Sequence, residues 1–84
     1  MAKKLKIRNV MALDNTTQKK IIEHYEFIRQ SGVTNMFDYT TVKHVARKIG
    51  LTELYDFIKD DVDCYKSVLR NFSKLMKKFD VKQK

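Results

Sequence analysis

Val62-Asp63-Cys64-Tyr65-Lys66-Ser67-Val68-Leu69-Arg70-Asn71-Phe72-Ser73-Lys74-Leu75-Met76-Lys77-Lys78-Phe79 is the stretch that decides the fold. Tyr65, Val68, Leu69, Phe72, Leu75, Met76 and Phe79 recur at i, i+3, i+4 and i+7. A helix turning about 100° per residue gathers such positions on one face. They fill one arc roughly 120° wide. Lys66, Arg70, Lys74, Lys77 and Lys78 fill an arc on the opposite side, and no acid lies between Lys66 and Phe79. A helix so divided must bury its apolar side against other helices. The spacing therefore predicts an all-α fold: a compact bundle of about four helices, closed by this long amphipathic C-terminal helix, the longest of the set.

Working back toward the N-terminus, Asp60, Asp61 and Asp63 mark the start of that helix, where carboxylates suit the positive end of the helix dipole. A short third helix carries Leu54, Tyr55, Phe57 and Ile58, with Thr52 as its expected cap. A second helix presents Val42, Val45, Ala46 and Ile49 and stops at Gly50. Asp38 reads as its N-cap, and Phe37 just before it is placed to staple onto Val42. The first helix spans about Thr16 to Gln30 and shows Ile21, Ile22, Tyr25 and Ile28 on one face. Asn15 is its expected N-cap, Gln18 completes a capping box, and Ser31-Gly32 ends it.

Residues 1–13 read two ways. Leu5 and Ile7 alternate with bases as in a short strand, whereas Val10, Met11 and Leu13 suit a helix. The whole is organised as one domain over 1–84: a basic arm at 1–14, a helical core at 15–79 and a basic tail at 80–84.

Eighty-four residues allow one modest core and leave no room for a second domain or a deep substrate cleft. Proline is absent and glycine occurs twice, which favours long helices joined by short turns. Cys64 is the only cysteine, so no intramolecular disulfide forms; a secreted domain this small usually needs several, which points to a reducing cytoplasm. The segment Met1 to Arg8 is basic but lacks the apolar run of a signal peptide. No stretch approaches the roughly 18 apolar residues of a membrane span. The expectation is a cytoplasmic protein with no membrane partner.

The net charge of +8 is unevenly placed. Residues 1–8 hold Lys3, Lys4, Lys6 and Arg8 without an acid, and residues 66–84 hold seven bases against Asp80 alone. The two ends together carry +10 and the middle −2. Basic character belongs to the termini rather than to the central fold.

Catalytic chemistry has little to stand on. His24 and His44 fall on different helices, and neither lies in a recognised nucleophile pattern. Two glycines at helix ends make no phosphate-cradling loop. Asp56, Asp60, Asp61 and Asp63 lack the loop spacing and terminal glutamate of a hard-cation site, and helix capping explains them. Cys64, on the rim of the apolar arc, reads as a partly buried, inert thiol. The second and third helices begin like a helix-turn-helix, with Val45-Ala46, Gly50 and Thr52 in place. The match then fails: Asp56 and Lys59 stand where apolar residues are required, and the third helix is acidic. No enzyme activity, cofactor or metal is expected.

Binding has better candidates. The basic face at Lys66, Arg70, Lys74, Lys77 and Lys78 lacks the interleaved glutamates that usually support an exposed helix. Together with Lys3, Lys4, Lys6 and Arg8 it suits a nucleic-acid backbone or an acidic protein surface; a merely solvated face is the competing reading. Thr34 and Asn35 form a further candidate contact on the turn between the first two helices. In the plain reading of that turn, Met36 and Phe37 plug the core and Asn35 bonds the last carbonyls of the first helix.

Ser31-Gly32-Val33-Thr34-Asn35-Met36-Phe37-Asp38, followed by Val42, Ala46, Gly50, Glu53-Leu54, Phe57-Ile58 and Tyr65, resembles a family of short uncharacterised proteins of phages and prophages of Gram-positive bacteria. Its signature is a Ser-Gly-x-Thr-Asn-Met-Phe-Asp turn, a helix, and a Glu-Leu-x-x-Phe-Ile helix. The resemblance covers roughly residues 22–66 and implies a phage origin, with no activity attached. Joined to the basic face, it yields the functional expectation of a small phage-encoded accessory protein, a nucleic-acid-associated regulator. The alternative is an inhibitor or adaptor docking on an acidic host protein, in host takeover or anti-defence. These patterns leave the oligomeric state open.

Overall fold

The computed structural model describes residues 8–32 and 34–81. Over these residues the chain is all-α. A 3-10 turn at Val10–Ala12 leads to α1 (Asn15–Ser31), α2 (Tyr39–Lys48), α3 (Thr52–Ile58) and α4 (Val62–Lys78), with no strand among the described residues. α4 is not the longest helix, for α1 also has 17 residues.

Three of the four helices start at an aspartate. Asp14 accepts a hydrogen bond from the Thr17 N–H, Asp38 from the Thr41 N–H and Asp61 from the Asp63 N–H, each satisfying a donor left open by the first turn. The expected capping box at Asn15 and Gln18 is not formed. Asp14 takes the cap because its carboxylate accepts from both the Thr17 N–H and the Thr17 hydroxyl, the latter at 2.7 Å. The expected cap at Thr52 is also corrected: Leu51 holds that position, no side chain caps α3, and the Thr52 hydroxyl faces Glu53 at 3.2 Å. Gly32 and Gly50 adopt φ of 68° and 81°, the left-handed conformation that stops α1 and turns the chain after α2.

α1 and α3 pack against each other, and both α2 and α4 pack onto that pair. The core between them is formed by Ile21, Ile22 and Ile28 of α1, Val42 and Ala46 of α2, Leu54 and Ile58 of α3, and Tyr65, Val68 and Leu75 of α4, all buried. Two tyrosine hydroxyls tie the layers. Tyr39 donates to the Ile58 carbonyl and Tyr65 to the Met36 carbonyl, so α2 and the turn before it are fixed to the α3–α4 junction.

The second part of the N-terminal segment docks. Val10 is fully buried against α4, its N–H donates to Ser67 Oγ at 3.0 Å, and Arg8 Nε lies 2.6 Å from Asp61. Gln18, buried on α1, donates to the carbonyls of Met11 and Leu13 and so holds the 3-10 turn from the other side. Cys64 is fully buried rather than partly so.

Two apolar side chains leave the core contrary to expectation. Phe37 is 81% exposed and does not staple onto Val42. Asn35 explains it: its Oδ1 accepts the Phe37 N–H at 2.9 Å, closing a local turn that aims the ring outward. The expected bond from Asn35 to the last carbonyls of α1 is not among those formed by the described residues; there Ser31 donates to the Ile28 carbonyl. Ile49 is 49% exposed because the helix ends at Lys48 and the non-helical backbone of Ile49 carries it off the buried face.

Candidate nucleic-acid interface

The buried side of α4 is wider than its apolar arc. Beyond the stripe of Tyr65, Val68, Leu75 and Met76, Cys64 and Ser67 are also buried, Ser67 beneath the docked Val10. What remains open is a narrow strip, Val62, Asp63, Lys66, Arg70, Ser73, Lys74 and Lys77, with Lys78 exposed beside its C-terminal end. Lys66, Arg70, Lys74 and Lys77 are all exposed, and none forms an ion pair among the described residues. Spaced at i, i+4, i+8 and i+11, they run down one side of the helix. Asp63 is the one acid on the strip, confined to the first turn, where it faces the positive end of the helix dipole.

Among the described residues, three other cations are engaged in ion pairs. Arg8 pairs with Asp61, Arg29 makes a two-pronged contact with buried Glu26, and Lys59 lies 3.8 Å from Asp56. Lys78, grouped with the basic face from sequence, stands apart from the strip. Its Nζ donates to Gln18 Oε1 at 2.8 Å and lies over the Phe79 ring, so it joins α4 to α1. Arg8 sits where the N-terminal segment meets the start of α4, whereas Lys3, Lys4 and Lys6 lie outside the described residues. Thr34 is half-buried and Asn35 is spent on its own turn. The structure thus gathers Lys66, Arg70, Lys74 and Lys77 into one surface and keeps Thr34 and Asn35 off it.

The strip is electrostatically one-sided. Like charges at i, i+4 cost about 0.2–0.5 kcal/mol per pair on a helix surface, and carboxylates stand only at the two ends of the row, Asp63 in the first turn and Asp80 just past the helix beside Lys77. A row of phosphates would relieve that repulsion and release its own counterions.

His24 is mostly covered, with Nε2 3.8 Å from Glu53 and a buried Nδ1 that has no partner. Burial holds its pKa below the ordinary value, the Glu53 carboxylate offsetting only part of the effect. Among the described residues no three His, Cys, Asp or Glu side chains are grouped to hold a metal ion. No helix over the described residues is long and apolar enough to cross a membrane.

A second basic surface escaped the sequence reading. His44, Arg47 and Lys48 are exposed on the outer side of α2, opposite Val42 and Ala46, and line a shallow surface depression. The signal was present: their i, i+3, i+4 spacing faces away from the apolar positions, and α2 contains no acid.

Fold and surface together define a small helical bundle with basic outer faces. The chain belongs to the family described as a domain of unknown function (DUF5049), which matches residues 17–69. That match takes in α2, α3 and Lys66 but stops before Arg70, Lys74 and Lys77. No curated protein and no solved structure matches the chain.

Proposed function

We propose that this chain is a small phage-encoded accessory binding protein that associates with nucleic acid through the basic strip of α4. Lys66, Arg70, Lys74 and Lys77 meet successive phosphates, and the basic N-terminal segment from Lys3 to Arg8 adds to the contact. The observation that carries this reading is four exposed cations in a row, none in an ion pair among the described residues. Lysine and arginine on phosphates give affinity and register but little sequence preference. The chain therefore acts as a regulator that coats or positions nucleic acid rather than one that reads a site. Titrating salt against the binding of two unrelated duplexes tests it. Affinity should fall steeply and equally for both, and binding that is salt-insensitive would exclude the strip as a phosphate contact.

Phe37 favours a second reading, an inhibitor or adaptor docking on an acidic host protein. Its ring is 81% exposed on a turn pinned by Asn35 and by the Tyr65 hydroxyl. A preorganised exposed aromatic is a common anchor of protein interfaces. A pull-down from infected cells treated with nuclease separates the two: a stoichiometric partner that survives nuclease and is lost in Phe37→Ala supports the adaptor.

A further inference from the structure

We infer that the outer face of α2 is a second phosphate-binding surface, and that the chain bridges two segments of nucleic acid, one on α4 and one on α2. This rests on the proposed role of the α4 strip. His44, Arg47 and Lys48 stand together on the solvent side of α2, exposed, and among the described residues they line a shallow depression. α2 holds no acid from Tyr39 to Lys48, and neither Arg47 nor Lys48 forms an ion pair among the described residues. Lys43 on the same helix is turned onto the Tyr39 ring, which leaves Arg47 and Lys48 as the open cations, with the His44 ring beside them.

The placement of the two surfaces carries the inference. α2 and α4 each pack on both α1 and α3, and each turns its basic residues away from the side that packs: His44, Arg47 and Lys48 stand opposite buried Val42 and Ala46, and Lys66, Arg70, Lys74 and Lys77 opposite buried Tyr65, Val68 and Leu75. Tyr39, the first residue of α2, reaches the Tyr65 ring, whereas Arg47 and Lys48 lie at the opposite end of the helix. At a rise of about 1.5 Å per residue, Lys48 lies about 13 Å along α2 from that contact. A duplex lying on α4 therefore leaves the α2 face open to another. Two modest electrostatic contacts on one rigid body favour holding two segments at once, because the second contact forms at high effective concentration. With charges set by phosphate and no base-reading element on either face, the bridged segments need not share a sequence.

The test uses the full chain, one duplex DNA immobilised on beads and an unrelated, fluorescent duplex free in solution. Wild type should carry the fluorescent duplex onto the beads. Arg47→Glu with Lys48→Glu should abolish that capture while still binding a single duplex in a gel shift, with an unchanged helical circular dichroism spectrum. Arg70→Glu with Lys74→Glu should abolish capture as well. If the α2 variant bridges as wild type does, or if wild type binds one duplex and never joins two, the bridging inference fails and the α4 reading stands. If wild type binds no duplex at all, both fail.

Discussion

The main-chain N–H of Val10 donates to Ser67 Oγ at 3.0 Å, and that hydroxyl passes its own proton to the Cys64 carbonyl at 2.7 Å. Both residues are fully buried. The bond joins positions 57 apart in the chain and seats the N-terminal segment along one flank of α4, which narrows the open basic strip to its final width.

Ser67→Ala should therefore cost about 1–3 kcal/mol, the penalty of leaving a buried N–H without a partner. Urea denaturation measures it. A variant as stable as wild type would mean that the segment does not dock through this bond.

Phe72 and Phe37 should behave oppositely. The Phe72 ring packs 5.1 Å from Tyr25 and under the Arg29 guanidinium, so Phe72→Ala should cost about 3 kcal/mol, near the low end for a phenylalanine that is only partly buried. Phe37 is 81% exposed, and Phe37→Ala should change stability by no more than about 0.5 kcal/mol. Melting temperatures of the two variants check both. A large loss at Phe37 would restore it to the core.

Acid should act through Glu26. Burial alone would raise its pKa, but hydrogen bonds from Arg29 and Gln30 and the charge of Arg29 outweigh that and hold it below the ordinary 4.5. A carboxyl depressed in this way stabilises the fold above its unfolded value and loses that contribution as pH falls through the folded one. Glu26 should thus stabilise fully above about pH 4.5 and progressively less below it. Glu26→Gln should lower the melting temperature at neutral pH and flatten its fall in acid. An unaltered pH profile would show the pair to be inert.

Much of this architecture was legible because its causes are local. The stripe from Tyr65 to Phe79, the stops at Gly32 and Gly50, and the caps at Asp38 and Asp61 each depend on residues a few positions apart. What stayed hidden depends on distant partners or on competition between neighbours. Ser67 reads as a polar rim residue until Val10 arrives against it. Lys78 reads as one more surface lysine until Gln18, 60 residues away, accepts its proton. Phe37 reads as a staple because its hydrophobicity is visible and the turn made by Asn35 is not. Of the candidate site, the row Lys66, Arg70, Lys74 and Lys77 was explicit in the spacing. The α2 face had its signal too, in the i, i+3, i+4 spacing of His44, Arg47 and Lys48 away from Val42 and Ala46.

The salt dependence of duplex binding by Arg70→Glu with Lys74→Glu tests the role of the α4 strip most directly. Each phosphate contact contributes about 0.9 to the slope of log affinity against log salt on duplex DNA, so losing two should flatten the slope by about 1.8. Affinity should fall alike for unrelated sequences, with the helical spectrum intact. A folded variant that binds with the wild-type affinity and slope would show that Lys66, Arg70, Lys74 and Lys77 form only a solvated face.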